Sequence, residues 1–482
     1  WEDSLVGDEN TNGNPSFVGK KINKMVFFRN RLVFFADENI ILSQAGKFFN
    51  FWNKTALTFT NIDPIDLSCS SHQPAVIYDA IPVNTGLILF TKTQQFMLTT
   101  DSDILSPNTA KINRLANYNF NSATSPISLG TTVGWLDNAG KNSRFFEMQR
   151  TMREGEPEVV EQSKVVSRLF DKDLKLISNS RENGIIFFSE LDSNTLYCYR
   201  HFNTSDKRIQ QAWFTWVLPG SIRHHTVLDD SLYIVLRNNN KDGLLRFDIK
   251  MHDDSRSVTD DFDTTDTSDD VTYRVHLDNS EIIPNSSLTY TASTGKTTFP
   301  KPNGFNVTTT TTDAAYRQLA VYCHVAGNQV GRYAEGTVNS SNNIEVDGNW
   351  TGQSLTVGYL FDYEVKFPTI YVQKEKDGRV RSDINGSLVV HRVKLNLGNA
   401  GLYRTLIERT GKPDYTEIWE PAKSDNYNAN QVDFVEEVTQ TIPTYEKNTN
   451  LTLTLKSTHP APATLHSMSW EGDFTNKFYQ RV

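Results

Sequence analysis

Residues 24–52 read KMVFFRNRLVFFADENIILSQAGKFFNFW, with strongly apolar runs on either side of a short polar break at residues 29–31. Runs rich in Phe, Val and Ile favour β-strands, and Asn30 suits the left-handed backbone conformation of a tight turn. A strand this apolar promotes aggregation if it stays exposed at a sheet edge. The stretch therefore predicts a β-hairpin that the rest of the chain covers on both faces.

The polar break contains two arginines, Arg29 and Arg31, one on each side of the turn residue. In the predicted hairpin both lie at the rim of the sheet. We expect them to form ion pairs with Asp37 or Glu38 across the turn, and contact with a neighbouring chain is the alternative. Contact with DNA is less favoured.

A pattern of turn, apolar strand, polar turn and second apolar strand occurs five times. The repeats begin about 45 to 55 residues apart, which is the spacing of four-stranded propeller blades. The middle strand is almost wholly apolar, as at residues 87–90 and 185–188, which indicates burial on both faces. The pattern predicts a β-propeller, with a β-sandwich of regular hairpins as the alternative. The repeats begin at Val26, Ala80, Gly130, Ser180 and Val227.

The composition changes after about residue 250. Residues 253–270 are rich in Asp, Ser and Thr, which is typical of a solvated loop or a domain boundary. Alternation returns near the C-terminus, where we expect Val389, Val393, Leu395 and Leu397 to share one face. The predicted mainly β chain comprises a β-propeller over residues 1–250, a polar β insertion with an acidic loop over 251–365, and a C-terminal β region over 366–482 that completes the propeller or forms a platform.

Length, charge and cysteine content exclude several classes of protein. The chain has 482 residues and a formal net charge of −9, which argues against a nucleic-acid clamp because such proteins concentrate Lys and Arg. Its three cysteines are widely separated, so we expect a reducing compartment and neither a disulfide framework nor a structural zinc site. Apolar runs of about four residues are too short to span a membrane. Because the chain begins with Trp1, we expect a segment of a longer protein.

The segments that resemble cofactor or metal motifs each depart from the required pattern. Residues 293–298, STGKTT, end like a phosphate-binding loop, but Tyr290 stands where that loop needs glycine. His224 and His225 are adjacent, so in a strand they would point to opposite faces, and we assign them to the turn before the last repeat. The aspartates at residues 261–266 do not have the spacing of an EF-hand loop. We therefore predict no cofactor and no metal site.

One enzymatic alternative remains open from the residues alone. A propeller can carry a glycosidase, which needs two carboxylates about 5 to 9 Å apart. Glu147, Glu154 and Glu158 are candidates for such a pair. The turn S-x-D-x-G-x-x-W, typical of sialidase propellers, does not occur, since residues 347–350 have a different spacing.

Short motifs in a specific order lie along the chain: Trp1, Gly7-Asp8, Thr11-Asn12, PSFVG at 15–19, FFRNRL at 27–32, Glu38-Asn39, Leu42-Ser43, Gly46, FNF at 49–51, DPID at 63–66, Gln95-Phe96, LSP at 105–107, PAP at 460–462 and WEG at 470–472. These motifs closely resemble the tail tubular protein B, or nozzle protein, family of short-tailed bacteriophages of the podovirus and autographivirus type. The likeness is strongest over about the first 110 residues and thin in the Asp-rich segment. Val33 departs from the family pattern, which has glycine there, and Gly13-Asn14 replaces a Pro-rich pair.

The resemblance implies a structural virion protein rather than an enzyme. It implies a propeller-based subunit of a six-fold ring at the tail tip, around a channel through which double-stranded DNA passes without specific binding. The implied partners are identical subunits, the tail adaptor protein, the tail fibre protein and the host cell surface, after assembly in the bacterial cytoplasm. A carbohydrate-active or receptor-glycan-binding tail protein on a propeller scaffold is the alternative.

Acidic side chains are candidate channel-lining residues in such a ring. Carboxylates in a channel repel phosphates, so DNA can slide without the affinity that a basic groove supplies. A disordered surface loop is the alternative role of the same segment. The candidates are Asp253, Asp254, Asp260, Asp261, Asp263, Asp266, Asp269 and Asp270.

Basic side chains are candidate subunit or partner contacts. A ring needs a heterologous interface, in which one face of each subunit docks on a different face of its neighbour. The stretch from residue 365 to 412 is rich in Lys and Arg and is a candidate for one of these faces. The candidate interface residues are Arg29, Arg31, Arg392 and Lys394.

Overall fold

The computed structural model describes residues 2–138, 140–149, 157–171, 173–203, 208–238, 241–249, 257–260, 271–274, 276–303, 305, 318–323, 332–352, 354–376, 379–384, 386–419 and 435–476. The chain is mainly β, as predicted. In this part of it, helical structure is confined to short 3-10 helices at Gln162–Val166, Asn285–Ser287 and Asn448–Asn450. Two compact units, Trp1–Met251 and His252–Val482, divide the chain. The finer division at residue 365 stays a prediction.

The described residues of the first unit form five antiparallel sheets, each built from strands that follow one another along the chain. Sheets 1 to 4 have four strands each, and sheet 5 has three within the described residues. Sheet 1 contains β1 (Ile22–Phe28), β2 (Arg31–Ala36), β3 (Asn39–Leu42) and β4 (Ile65–Ser68); sheet 2 contains β5 (Asp79–Val83), β6 (Gly86–Phe90), β7 (Gln95–Thr100) and β8 (Ala110–Ala116); sheet 3 contains β9 (Ile127–Ser128), β10 (Val133–Asp137), β11 (Arg144–Gln149) and β12 (Glu158–Glu161); sheet 4 contains β13 (Leu174–Ser180), β14 (Ile185–Glu190), β15 (Thr195–Asn203) and β16 (Arg208–Val217); sheet 5 contains β17 (Ser221–Leu228), β18 (Ser231–Asn238) and β19 (Lys241–Asp248).

Successive sheets of the first unit pack against one another through large apolar side chains. Phe90 of sheet 2 meets Trp135 of sheet 3 with ring centroids 5.5 Å apart, and Phe145 of sheet 3 meets Phe188 of sheet 4 at 5.1 Å. All five residues of β6 are buried, as are five of the six in β14. The predicted burial of the middle strands on both faces is therefore confirmed, because each lies between two neighbouring sheets.

The hairpin at residues 24–52 forms as predicted. β1 pairs with β2 so that Phe28 lies opposite Arg31. Asn30 has a φ of 59° and Arg29 a φ of 45°, which matches a two-residue type I′ turn. The outer face of sheet 1 is covered by the chain that follows β3, where the ring of Phe51 stacks on that of Phe34 with centroids 5.2 Å apart.

The two adjacent histidines lie inside β17, so their assignment to a turn is wrong. Pro219 and Gly220 occupy the turn instead, and the strand begins directly after them. As expected for a strand, His224 is exposed while His225 is buried. His225 Nδ1 lies 2.7 Å from the Ser178 hydroxyl of sheet 4, so this histidine joins two sheets.

The second unit contains a seven-stranded antiparallel sheet, two further sheets and two hairpins within the described residues. Residues 293–298 form the turn after β23 and the first half of β24, so the segment that ends like a phosphate-binding loop belongs to a hairpin. The order of strands in the large sheet is β22-β28-β25-β26-β27-β24-β23. In chain order the strands are β20 (Ser257–Asp260), β21 (Val271–Arg274), β22 (Asp278–Ile283), β23 (Thr289–Thr291), β24 (Lys296–Pro300), β25 (Leu319–Cys323), β26 (Tyr333–Val338), β27 (Asn343–Asp347), β28 (Leu355–Tyr359), β29 (Tyr363–Lys366), β30 (Gln373–Lys376), β31 (Arg379–Ser382), β32 (Ser387–Ala400), β33 (Tyr403–Arg409), β34 (Tyr415–Trp419), β35 (Val435–Lys447), β36 (Leu451–Ser457) and β37 (Ala463–Thr475).

The sheets β29-β36-β33-β34 and β35-β32-β37 share one apolar core and form a C-terminal sandwich. Val393, Leu395 and Leu397 are fully buried, as predicted. Val389 is 38% exposed, so its predicted place on the same face is wrong, and Val390 is buried instead. The register of β32 shifts just after Val390, and such a bulge reverses which alternate residues face the core.

Candidate functional site

Glu147 of β11 lies fully buried between sheets 3 and 4. Its Oε1 accepts hydrogen bonds from Thr132 Oγ1 at 2.7 Å and Arg208 Nη2 at 2.9 Å. Its Oε2 accepts from Arg208 Nη1 at 2.8 Å and Gln162 Nε2 at 2.9 Å. Because Arg208 is the first residue of β16, this bidentate pair links the two sheets.

The electrostatic environment of Glu147 does not suit a glycosidase acid. Burial acts to raise its pKa, but hydrogen bonds from Arg208 and Thr132, with the charge of Arg208, outweigh burial and hold the pKa below its ordinary value. A general acid needs the opposite shift. Glu158 lies exposed in β12, and Glu154 lies outside the described residues. We therefore assign Glu147 a structural role.

Arg31 is buried rather than at the rim of its sheet, with 1% of its surface exposed. Its Nη1 donates to the carbonyl oxygens of Ser43 and Asp63, each at 2.7 Å. Its Nη2 donates to the carbonyl oxygens of Asn61 at 3.0 Å and Leu105 at 3.3 Å. The expected rim position and partner contact are wrong for this residue, because its guanidinium is enclosed by loops of its own chain.

The two acids expected near the arginines have other partners. Asp37 forms an ion pair with Lys20 at 3.4 Å, and Glu38 accepts a hydrogen bond from the backbone N–H of Ala75 at 3.0 Å. Arg29 is exposed at the turn. Its place in an interface therefore stays a prediction.

Arg392 and Lys394 lie about half exposed on β32 and share one partner on β37. Arg392 Nε is 2.9 Å from Glu471 Oε2, and Lys394 Nζ is 2.6 Å from Glu471 Oε1. The hydrogen bond from Lys394 and the two positive charges hold the pKa of Glu471 below its ordinary value. The pair is accessible to a partner but partly neutralised by its own sheet, and its interface role stays a prediction.

The candidate channel-lining aspartates fall almost entirely outside the described residues. Asp260 ends β20 and lies opposite Val271 of β21. Their role in a channel therefore stays a prediction. The residues outside the described part are Asp253, Asp254, Asp261, Asp263, Asp266, Asp269 and Asp270.

Polar side chains that link neighbouring sheets were not predicted from the sequence. Lys24 Nζ of β1 lies 2.8 Å from Asp79 Oδ2 of β5 and donates to Ser125 Oγ at 2.9 Å. Ser125 Oγ in turn donates to Asp79 Oδ2 at 2.7 Å. Asn179 of sheet 4 donates to the carbonyl oxygen of Ser128 in sheet 3 at 2.9 Å. Each of these residues lies in or beside a strand. A polar side chain at such a position is the feature of the sequence that could have indicated a contact between sheets.

The described part of the chain contains no group of three or more His, Cys, Asp or Glu side chains placed to hold a metal ion. Cys69 is buried, and its burial, with the nearby charge of Glu38, raises the pKa of its thiol to about 12. Burial likewise raises the pKa of the Cys198 thiol. Neither thiol is a reactive nucleophile at neutral pH. Within the same residues, no helix is long and apolar enough to cross a membrane.

Comparison with solved structures gives only distant likenesses. Hsv2 of Kluyveromyces lactis has a TM-score of 0.29 and 10% identity, covering 69% of this chain and 84% of that chain. An exo-β-1,3-galactanase from Phanerochaete chrysosporium has a TM-score of 0.21 and 10% identity, covering 93% and 94% of the two chains. At TM-scores this low the likeness supports no conclusion about fold or function.

Comparison of sequences gives a specific result. Tail tubular protein gp12 of Escherichia phage T7 is 24% identical over 418 residues, which cover 85% of this chain and 50% of that protein. The chain therefore spans about half the length of this curated relative. The family model described as bacteriophage nozzle protein matches residues 1–481. With a match over essentially its whole length, the chain belongs to the bacteriophage nozzle protein family.

Proposed function

We propose that the chain is a subunit of a six-fold ring in a phage tail nozzle, around the channel through which the genome leaves the virion. The family match over residues 1–481 is the observation that carries this proposal. The name of the T7 relative, a tail tubular protein, supports the location in the tail. Glu147 and Arg31, two buried charged residues, are bonded within the fold, which supports a structural role.

The proposed partners follow from the place of such a ring in a virion. It lies at the tail tip, joins the tail adaptor protein, holds the tail fibre protein and comes close to the host cell surface. Double-stranded DNA passes through it without specific binding, and the net charge of −9 supports this because phosphates are repelled. Assembly takes place in the bacterial cytoplasm.

We also propose that sheets 1 to 5 are blades of a β-propeller. Four-strand meanders in chain order are the units of that architecture. The packing of each sheet on the next supports it. The first strands of neighbouring sheets also meet, since β1 contacts β5, β9 contacts β13, and β13 contacts β17.

Imaging of the purified protein tests the ring. Negative-stain class averages are expected to show six-fold particles with a central hole, in the presence of the adaptor protein if the nozzle alone does not assemble. Particles of one subunit under both conditions, or rings of another symmetry, would overturn the proposed assembly.

We propose that the acidic segment 253–270 faces the channel near a constriction. Its high Asp content supports this, since repulsion of phosphates keeps DNA sliding. A reconstruction of the assembled ring tests it. Density for this segment on the outer wall would overturn the proposal and favour a surface loop.

We propose that the protein has no catalytic activity. The complete bonding of Glu147 supports this, because its carboxylate is already occupied by Arg208, Thr132 and Gln162. Incubation with labelled host polysaccharide is expected to release no product. Steady release that is abolished by substituting one carboxylate would favour the carbohydrate-active alternative instead.

A further inference from the structure

Residues 457–462 connect β36 to β37 of the C-terminal sandwich and include the PAP motif at 460–462. The segment also contacts the seven-stranded sheet. The segment is buried along almost its whole length. On one side the carbonyl oxygen of Pro460 accepts a hydrogen bond from the backbone N–H of His276, just before β22, at 2.7 Å. On the other side the carbonyl oxygen of Pro462 accepts from the N–H of Gly401, between β32 and β33, at 2.9 Å.

His459 occupies the centre of this segment and is 8% exposed. Its ring meets that of Tyr333 edge-on, with centroids 4.8 Å apart, and that of Tyr322 at 6.4 Å. Both tyrosines belong to the seven-stranded sheet, on β26 and β25. The imidazole therefore carries two aromatic contacts between the sheet and the segment that begins and ends in the sandwich.

The hydrogen bonding of His459 requires a neutral ring. The backbone N–H of Ala461 donates to His459 Nδ1 at 3.1 Å, so Nδ1 is an acceptor and the ring proton is on Nε2. A second proton would have to bind Nδ1, which would then point an N–H at the N–H of Ala461. Protonation therefore removes the bond that shapes the segment and puts a charge in a site closed to water.

The groups around the ring offer little compensation for that charge. From the seven-stranded sheet the ring faces the phenols of Tyr322 and Tyr333, and Tyr333 donates to the exposed carboxylate of Glu335 at 3.5 Å. From the sandwich side the neighbours are the uncharged Ser457, whose hydroxyl accepts from the His459 N–H, and Gly401. Burial lowers the pKa of His459 to about 4.

We propose that the 457–462 segment is an acid-sensitive joint, in which protonation of His459 opens the contact between the seven-stranded sheet and the C-terminal sandwich. The proposal does not depend on the ring or on the channel. It gives the PAP motif a role, since both outer prolines of the motif bind backbone N–H groups on opposite sides of the joint.

Hydrogen exchange of the joint, corrected for the intrinsic pH dependence of exchange, tests this. With a pKa of about 6.5 when open and about 4 when closed, lowering the pH from 7.5 to 4.5 should raise the opening constant roughly 70-fold. His459→Asn is the matched variant, because the Asn carbonyl accepts from the N–H two residues on and does not titrate. We expect this variant to protect the joint from exchange at pH 7.5 as wild type does. The increase in the opening constant at pH 4.5 should be absent.

His466→Asn, at an exposed histidine of β37, is the control and should retain the rise. An unchanged exchange of wild-type joint peptides between the two pH values would overturn the proposal, and so would an equal rise in His459→Asn. If His459→Asn does not fold, hydrogen exchange of the wild-type protein at different pH values tests the proposal without it. Joint peptides must then lose protection at a pH where peptides from the interior of the sandwich, such as β33, keep theirs.

Discussion

At the scale of single residues, the hairpin turn places two neighbouring arginines in opposite environments. Arg29 is exposed, whereas Arg31 donates to four loop carbonyl oxygens at 3.3 Å or less. Burial lowers the pKa of Arg31, and the charge of Asp63 acts against that shift. The guanidinium therefore serves as a multiple donor that fastens two loops to sheet 1.

Replacing Arg31 should destabilise the first unit strongly. In Arg31→Ala the carbonyl oxygens stay buried without a donor, at a cost of about 1–3 kcal/mol for each group that water cannot reach. We expect the free energy of unfolding in urea to fall by at least about 3 kcal/mol. Arg29→Ala is the control and should change it by less than about 0.5 kcal/mol. Equal effects of the two substitutions would contradict the buried role.

The Glu147–Arg208 pair should make stability depend on pH. Because the folded pKa of Glu147 lies below its ordinary value of 4.5, the pair stabilises the fold above that value, and the contribution is lost as the pH falls below it. Glu147→Gln should therefore show a smaller loss of stability than wild type between about pH 5 and pH 3.

At neutral pH Glu147→Gln should also lower the free energy of unfolding by about 3–5 kcal/mol, since Arg208 is left without its charge partner. Glu158→Gln, in the neighbouring strand β12, is the matched control because that side chain is exposed. Urea titrations across the pH range measure both effects. A slope with pH that is the same in Glu147→Gln and wild type would refute the assignment.

At the scale of elements, turn chemistry determines the first hairpin. The type I′ turn needs a positive φ at residue 30, which costs residues other than Gly, Asn and Asp about 1–2 kcal/mol. Asn30→Gly should leave stability nearly unchanged, while Asn30→Val should lower it by about that amount. Urea unfolding of both variants measures the difference, and a similar stability of the two would argue against the turn type.

Gly472, in the WEG motif, lies where β37 passes the bulge of β32. A Cβ at this position would overlap the backbone carbonyl oxygen of Val389, which a strand cannot move without losing its pairing. Gly472→Ala should destabilise the C-terminal sandwich by about 1–3 kcal/mol. Gly243→Ala is the control, because a Cβ there meets nothing within 4 Å. We expect faster hydrogen exchange in β32 peptides of Gly472→Ala and no change in those of Gly243→Ala.

At the scale of the whole molecule, the two basic residues proposed for the subunit interface also form ion pairs within their own sheet. Arg392 and Lys394 both bind Glu471, so reversing them alone would disturb the sheet as well as any contact with a neighbour. The triple variant Arg392→Glu, Lys394→Glu and Glu471→Lys restores a local pair while it reverses the surface. We expect it to fold but to lose ring assembly, most clearly at low salt.

Size-exclusion chromatography and negative-stain imaging at low and high salt measure that outcome. Glu471→Lys alone is the control for local repulsion and should reduce stability without a comparable dependence of assembly on salt. Intact rings in the triple variant at both salt concentrations would remove Arg392 and Lys394 from the interface.

Local features of the sequence were enough to predict the strands, the turn at Asn30 and the repetition of the sheets. Strand propensity, period-two alternation and turn residues act within a few neighbouring positions, so they can be read without knowing the fold. The same reasoning assigned His225 to a turn and Val389 to the core. The assignment of His225 failed because the turn is at Pro219 and Gly220, so the strand begins earlier than predicted. The assignment of Val389 failed because a one-residue bulge in β32 changes which alternate residues face the core.

The partners of charged and polar side chains were decided by the tertiary structure alone. Arg31 meets a carbonyl oxygen of Leu105, and Glu147 meets Arg208, and no local pattern links residues so far apart in sequence. The sequence by itself determined a mainly β chain, its repeats and its family motifs, because these follow from local propensity and spacing. Which charges are buried and which remain at the surface depends on the segments that the fold brings together, since burial and hydrogen bonding are properties of those contacts.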